Sequence, residues 1–330
     1  MDEERLELLG QVAVWYYEDN LDQTEIASRL GKSRSLVSRM LNEARDLGLI
    51  EVRVKFPLKR DTDLEARLCE TFNLAQARIL ADPPLNDYPT LLRRLGRLGA
   101  YYLQDILRDD IRIGIGWGAS LHQLVKALPT TPLQNALVIQ NMGSAGHGDP
   151  LIDGAELARW LSQKLNAEHR YLPAPLIVEN EAIAQALLND AQIAETLKLA
   201  QQADVALVGI GPIDSKLSGL YRTGYFTDHD TEALKQAGVV GDVLGRLLDI
   251  EGKLSDVSIN RCLVSQELED LKKVPNVIAI GGSTMKIPAI LATLRSDCLN
   301  VLISDAVTAT AVLELQTQPM PEQAFNLNSF

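Results

Sequence analysis

The sequence predicts an α/β fold in two parts. An N-terminal winged helix-turn-helix comes first, and a larger Rossmann-like domain built on a parallel sheet follows. Three observations predict this. Residues 22–41, "DQTEIASRLGKSRSLVSRML", read as two short helices with a glycine joint. From Asp110 onward, apolar strand-like runs alternate with helical runs, the pattern of a parallel sheet covered on both faces. The charge also changes sign between neighbours. Residues 1–28 carry one base and eight acids, a net −7, whereas residues 29–60 carry nine bases and three acids, a net +6.

The first sixty residues divide cleanly. Leu6, Leu9, Val12, Ala13 and Tyr16 recur at a helical period, so a helix is expected over Arg5 to Tyr17. Asn20 to Asp22 interrupts it, and a second helix is expected over Gln23 to Leu30, with Ile26, Ala27 and Leu30 facing inward. Gly31 suits a left-handed C-cap, where a side chain is sterically penalised. Ser33 suits the N-cap of a third helix, whose apolar face is Leu36, Val37, Met40, Leu41 and Ala44. Ala27, Gly31 and Val37 then stand at the crossing, the turn and the packing point of a helix-turn-helix.

The third helix exposes Ser33, Arg34, Ser35, Ser38 and Arg39 toward its N-terminal half, with Lys32 at the turn. This is the end a recognition helix presents to the major groove, where Arg reads guanine and Ser reaches base edges or phosphate. "LIEVRVKF" alternates like a strand and is expected to form a wing with Arg53 and Lys55 facing phosphate. These features imply double-stranded operator DNA as a partner. The DNA-binding domain is expected over residues 1–57.

Residues 58–90 are expected to be a linker helix, marked by Leu64, Leu68 and Phe72, and a Pro-rich loop. A helix-turn-helix needs two half-sites, so this segment is a candidate for joining subunits into a dimer or tetramer. The remaining domain is expected over residues 91–330. Its strands are expected in "IRIGIG", "NALVIQ", "ADVALVG", "NVIAI" and "LNVLISD". Ligands of such sheets sit at the carboxyl ends of the strands. Four loops there carry glycines, including Gly118, Gly143, Gly209 with Gly211, and Gly281 with Gly282. Backbone amides in such loops can approach an anion closely. "GGSTMK" adds Lys286, and Ser120 stands at a helix start. Asp242, read here as lying at a glycine-rich helix start, is a candidate acceptor for polyol hydroxyls.

The gross composition sets limits. The chain has 330 residues, a formal net charge of −12 and a pI near 4.9. An acidic chain argues against nonspecific coating of nucleic acid. No apolar run approaches the roughly 18 residues of a membrane span, and the acidic start lacks a secretory signal, so a cytoplasmic protein is expected. Cys69, Cys262 and Cys298 are far apart, as are the four histidines, so neither metal site nor disulfide framework is expected. "GIGWGA" matches a weak dinucleotide fingerprint, but the next strand ends in Gln140 and Asn141 rather than an acid.

"YYEDNLDQTEIASRLGKSRSLVSRMLNEARDLGLIEVRV" resembles the winged helix-turn-helix of SorC-type (SorC/DeoR-like) sugar-sensing transcriptional regulators. "IGIGWGASL", "ADVALVGIG", "VVGDVLGRLLDIEG" and "VIAIGGSTMKIPAILATL" resemble the same family, in that order. The resemblance implies an effector domain similar to phosphosugar isomerases and coenzyme A transferases, a phosphorylated sugar as ligand, and oligomers, often tetramers. It places effector contacts near Gly118 and Ser120, at Asp242 and at Lys286. "NMGSAG" departs from the family where many relatives carry a glycine pair, at Asn141 and Met142. The expected function is a DNA-binding regulator or repressor controlled by a small phosphorylated metabolite, with no catalytic residues and no resident cofactor. Two alternatives stay open: a phosphosugar isomerase or deaminase with an added DNA-binding domain, and a dinucleotide-sensing repressor.

Overall fold

Asp22 starts the first joint of the chain. In the computed structural model, which describes residues 3–50, 58–81, 87–146 and 149–317, two compact units form, residues 1–57 and 58–330. The first holds α1 (Glu3–Tyr17), α2 (Gln23–Leu30) and α3 (Arg34–Asp46). The Asp22 carboxylate accepts from the Thr24 and Glu25 amides, and the Glu25 carboxylate accepts from the Asp22 amide, a reciprocal cap that satisfies otherwise orphaned donors. Gly31 ends α2 at φ 62°, in the left-handed region. Leu9 and Val12, Ile26 and Ala27, and Val37, Met40, Leu41 and Ala44 close a core between the three helices. Each large side chain so buried contributes about 1.5–3 kcal/mol. Leu30, expected to face inward, is only half-buried. The expected wing at residues 51–57 lies outside the described residues.

Among its described residues, the second unit is built on ten strands: β1 (Gln76–Leu80), β2 (Arg112–Ile115), β3 (Leu137–Gln140), β4 (Glu168–Arg170), β5 (Val205–Gly209), β6 (Gly211–Pro212), β7 (Val239–Val243), β8 (Arg246–Asp249), β9 (Asn276–Ile280) and β10 (Val301–Asp305). Seven form one sheet in the order β1-β10-β9-β5-β2-β3-β4, and every pairing in it is parallel. One apolar cluster packs on each face, around Leu68, Val208 and Ile290 on one side and Leu95, Leu121 and Leu157 on the other. The central strands are apolar beyond their first residues, Arg112 in β2 and Asn276 in β9, because both faces are dry.

Two features differ from the sequence expectation. The segment 58–90 is no spacer, because β1 pairs along its whole length with β10. Glu65 holds the preceding helix to the strand by accepting from the Ile79 amide at 2.9 Å and from Arg60 Nε at 2.8 Å. Asp242 does not start a helix either. It lies in β7, half of a hairpin with β8, and Leu244 and Gly245 turn the chain at φ 53° and 80°. Positive φ at both central residues is the signature of the tight hairpin turn that matches strand twist.

The strand order reverses between β2 and β5. From β2 the chain moves outward through β3 and β4, then returns to β5 and moves the other way through β9 and β10. A crevice opens at the carboxyl ends of strands at such a point.

Candidate functional site

Two surfaces gather the residues singled out in the sequence. The first is the start of α3. Ser33 occupies the N-cap and accepts from the Leu36 amide at 3.3 Å. Lys32, Ser33, Arg34, Ser35 and Arg39 are exposed, and Ser38 is half-buried. Ser33 and Ser35 share a 3.0 Å hydroxyl contact. The side chains of Lys32 and Arg34 make no hydrogen bond or ion pair among the described residues. The first turn of α3 contains no acid, so the positive end of the helix dipole and two cations face the same solvent. Arg53 and Lys55 lie outside the described residues.

The second surface is an open cleft at the switch point of the sheet, about 600 Å³ when the solvent at its mouth is included. Gly118 and Ser120 after β2, Gly209 and Gly211 around the end of β5, Asp242 on β7 and Lys286 after β9 all line it. α4 spans Thr62–Phe72 and α5 Tyr88–Ile106, and α6 (Ala119–Ala127) follows β2. Gly118 is the N-cap of α6 at φ 117°, and no side chain caps that helix, so its first amides stay open toward the cleft. Ser120, Asp242 and Lys286 are 5%, 7% and 6% exposed.

The electrostatics of the cleft floor come from burial. Lys286 Nζ donates to the Ile210 carbonyl at 2.7 Å. Burial lowers its pKa to about 8, against the opposing pull of Asp242. The Asp242 carboxylate accepts from the Gly245 amide at 3.1 Å, yet burial raises its pKa to about 6. Gly211 pairs opposite Asp242 across the β6–β7 ladder, and a Cβ on Gly211 would overlap the carboxylate. Glycine is therefore needed there for close approach.

Four sequence candidates do not line the cleft. Gly282 lies against Leu95 and Asp305, and Gly281 against Ile210 and Ile290. They pack the loop, and the anion cradle expected of them is not formed. Gly143 lies against the Pro175 backbone, and the Asn141 carboxamide lies against Gly114. β3 stands one strand beyond the switch point, so its loop points elsewhere. Gln140, at the end of β3, donates to the Met142 carbonyl at 2.8 Å and accepts from the Leu172 amide at 3.0 Å. The strand itself ends in Gln140, followed by Asn141, and carries no acid at that end. The sequence did not single out Tyr88, Trp117, Leu217, Gly219, Arg222 or Leu244, which complete the cleft. Trp117 and Leu244 sit inside stretches quoted for other residues, the other four belong to no motif, and only the fold brings the six together.

Among the described residues, no helix is long and apolar enough to cross a membrane, and no group of three or more His, Cys, Asp or Glu side chains is placed to hold a metal.

The family described as "Putative sugar-binding domain" matches residues 57–314. The chain belongs to this family of SorC-type sugar-binding transcriptional regulators. The regulator is 31% identical over 313 residues to the transcriptional regulator LsrR of Klebsiella pneumoniae subsp. pneumoniae, spanning 94% of this chain and 93% of that protein. It is 29% identical over 313 residues to the deoxyribonucleoside regulator of Bacillus subtilis (strain 168), spanning 95% and 99%. The full-length sorbitol operon regulator SorC of Klebsiella pneumoniae superposes with a TM-score of 0.69 at 25% identity, covering 94% of this chain and 100% of that one. These relatives are regulators, not enzymes, and this chain is a transcriptional regulator with a sugar-binding domain.

Proposed function

We propose that the regulator binds operator DNA through α3 and that a phosphorylated sugar in the cleft sets its affinity for that DNA. Lys32, Ser33, Arg34, Ser35, Ser38, Arg39 and Arg53 form the DNA surface. Gly118, Ser120, Gly209, Gly211, Asp242 and Lys286 form the effector site. The observation that carries the reading is the pairing of a buried carboxylate and a buried ammonium, Asp242 and Lys286, beside an uncapped helix N-terminus in one solvent-open cleft. A carboxylate accepts several hydroxyl hydrogen bonds, and open helix amides attract an anion. A sugar phosphate offers both chemistries at once.

The names of the relatives support the same reading, since one is a deoxyribonucleoside regulator and another a sorbitol operon regulator. The working unit is a cytoplasmic homo-oligomer, dimer or tetramer, because one helix-turn-helix reads too little sequence alone. Ligand binding shifts the population of effector-domain arrangements. Coupling of about 1–3 kcal/mol changes operator affinity roughly 5- to 150-fold. The test is a thermal-shift screen with phosphorylated sugars, followed by anisotropy titration of promoter DNA with each hit. A ligand at 100 times its dissociation constant adds about 2.7 kcal/mol of stability. A hit that leaves operator affinity unchanged defeats the proposal.

A further inference from the structure

Arg222 belongs to no sequence motif, yet it lines the cleft with Ser120, Asp242 and Lys286. It is exposed, and among the described residues its guanidinium makes no hydrogen bond or ion pair. Burial raises Tyr88 to about 12 and lowers Lys286 to about 8, and the Arg222 charge pulls both downward. Arg222 therefore lies on the wall of the same cleft, within electrostatic reach of its floor.

The backbone that carries Arg222 is held firmly. Ser218 caps the turn Gly219–Arg222 by accepting from the Tyr221 amide at 3.3 Å. Thr223 Oγ1 donates to the Gly219 carbonyl at 3.0 Å and lies 3.2 Å from that of Leu220. Leu220 is buried beneath. On the cleft side, the Trp117 ring lies so close to Gly219 that a Cβ there would come within 3.0 Å of it. The turn is pressed onto the cleft wall, and the arginine is presented from a fixed base.

Lys286 is already committed. Its ammonium is bonded to the Ile210 carbonyl, and Asp242 opposes its charge within the same cleft. Together they leave the floor close to neutral. The remaining positive charge is Arg222 and the open end of α6, which is worth about half an elementary charge. Ser120 stands in that first turn, 5% exposed, and its hydroxyl has no partner among the described residues.

On the reading of the cleft as an effector site, we propose that Arg222 recognises the effector's charged group, and that this group is a single phosphate monoester held between Arg222, Ser120 and the first amides of α6. A phosphate monoester carries about −1.5 to −2 at neutral pH, which the arginine and the helix end together meet. Among the described residues that line the cleft, a second phosphate would find no cation beyond Arg222 and the committed Lys286. The cleft therefore selects sugar monophosphates over both bisphosphates and neutral sugars.

Calorimetric titration of the full chain at fixed ionic strength tests this. The probes are inorganic phosphate and a panel of pentose and hexose monophosphates, with their bisphosphates and unphosphorylated parents. The wild type binds at least one monophosphate more tightly than its bisphosphate or parent sugar. Arg222→Ala weakens that binding about 10- to 100-fold and flattens its salt dependence, as expected for loss of a charge-assisted contact. Arg222→Lys restores only part, because the forked geometry is lost. Equal monophosphate affinity in the wild type and Arg222→Ala, or a bisphosphate bound more tightly than its monophosphate, overturns the assignment to Arg222 alone. A wild-type chain that binds no sugar phosphate overturns the reading of the cleft itself.

Discussion

Lys286 Nζ donates a 2.7 Å hydrogen bond to the carbonyl oxygen of Ile210. That bond ties the loop after β9 to the loop after β5, its neighbour in the sheet, on one side of the point where the strand order reverses. A ligand that draws the ammonium toward itself must displace the bond. Occupancy of the cleft and geometry of its two main loops are therefore linked.

The α3 surface is predicted to act in DNA binding and not in folding. Arg34 is exposed and its side chain makes no hydrogen bond or ion pair among the described residues, and that of Arg39 makes only a 3.5 Å contact with the Ser35 carbonyl. Arg34→Ala and Arg39→Ala are expected to stay within about 0.5 kcal/mol of wild-type stability. Each is expected to abolish specific operator binding. Anisotropy at fixed salt reads the affinity, and unchanged affinity in either variant counts against the surface.

Gly211→Ala is predicted to disable the effector response. The added methyl would overlap the Asp242 carboxylate, so the acid must move off its bond to Gly245 or the hairpin must shift. Overpacking of this kind costs about 1–3 kcal/mol. Thermal-shift response to a wild-type ligand should disappear while the variant remains folded. A normal response would mean that Asp242 is not where the ligand binds.

Stability should depend on pH through the buried pair. Burial raises Asp242 from 3.8 to about 6. Between those values the folded chain keeps a proton that the unfolded chain has lost, so this group's contribution falls as pH rises from about 4 to 6 and is then constant. Burial lowers Lys286 from 10.5 to about 8. Between about pH 8 and 10.5 the unfolded chain holds the extra proton, so stability rises with pH there. Asp242→Asn keeps an acceptor for Gly245 and should remove the first slope, and Lys286→Met should remove the second. Calorimetric midpoints from pH 4 to 10, variant against wild type, check both signs.

Asn141 is predicted to be a structural cost. Its carboxamide is buried, and neither the nitrogen nor the oxygen has a partner among the described residues. A buried polar group left in that state costs about 1–3 kcal/mol. Asn141→Leu is expected to raise the melting temperature and to leave ligand affinity within about twofold, because the side chain lies outside the cleft. Loss of the ligand response would return Asn141 to the effector site.

Legibility in the sequence followed the range of the physics involved. The joint of α2 and α3 rests on Gly31 and Ser33, each acting on backbone within four residues, and both cap as expected, while Asp22, expected only to interrupt α1, also caps the start of α2. The central strands were legible because their burial on both faces makes them continuously apolar. β1 was not, since "QARIL" has two polar residues on an edge strand, and its pairing partner lies more than 200 residues away. Asp242 was assigned to the wrong element because glycines at 241 and 245 suit a helix start as well as a hairpin. The choice depends on β6 and β8, which only the folded chain supplies.

The sequence by itself determined the basic helix face, the alternation of strand and helix, and the chemical identity of the groups that a sugar phosphate would meet. Only the tertiary structure decided which glycine loops share a cleft, and it chose those beside the reversal between β2 and β5 over the loop after β3. It also added Arg222 and Trp117 to that cleft. The reason is geometric: capping and periodicity act along a few residues of chain, whereas a cleft is made where distant strand ends converge, and strand order is set by packing of the whole sheet.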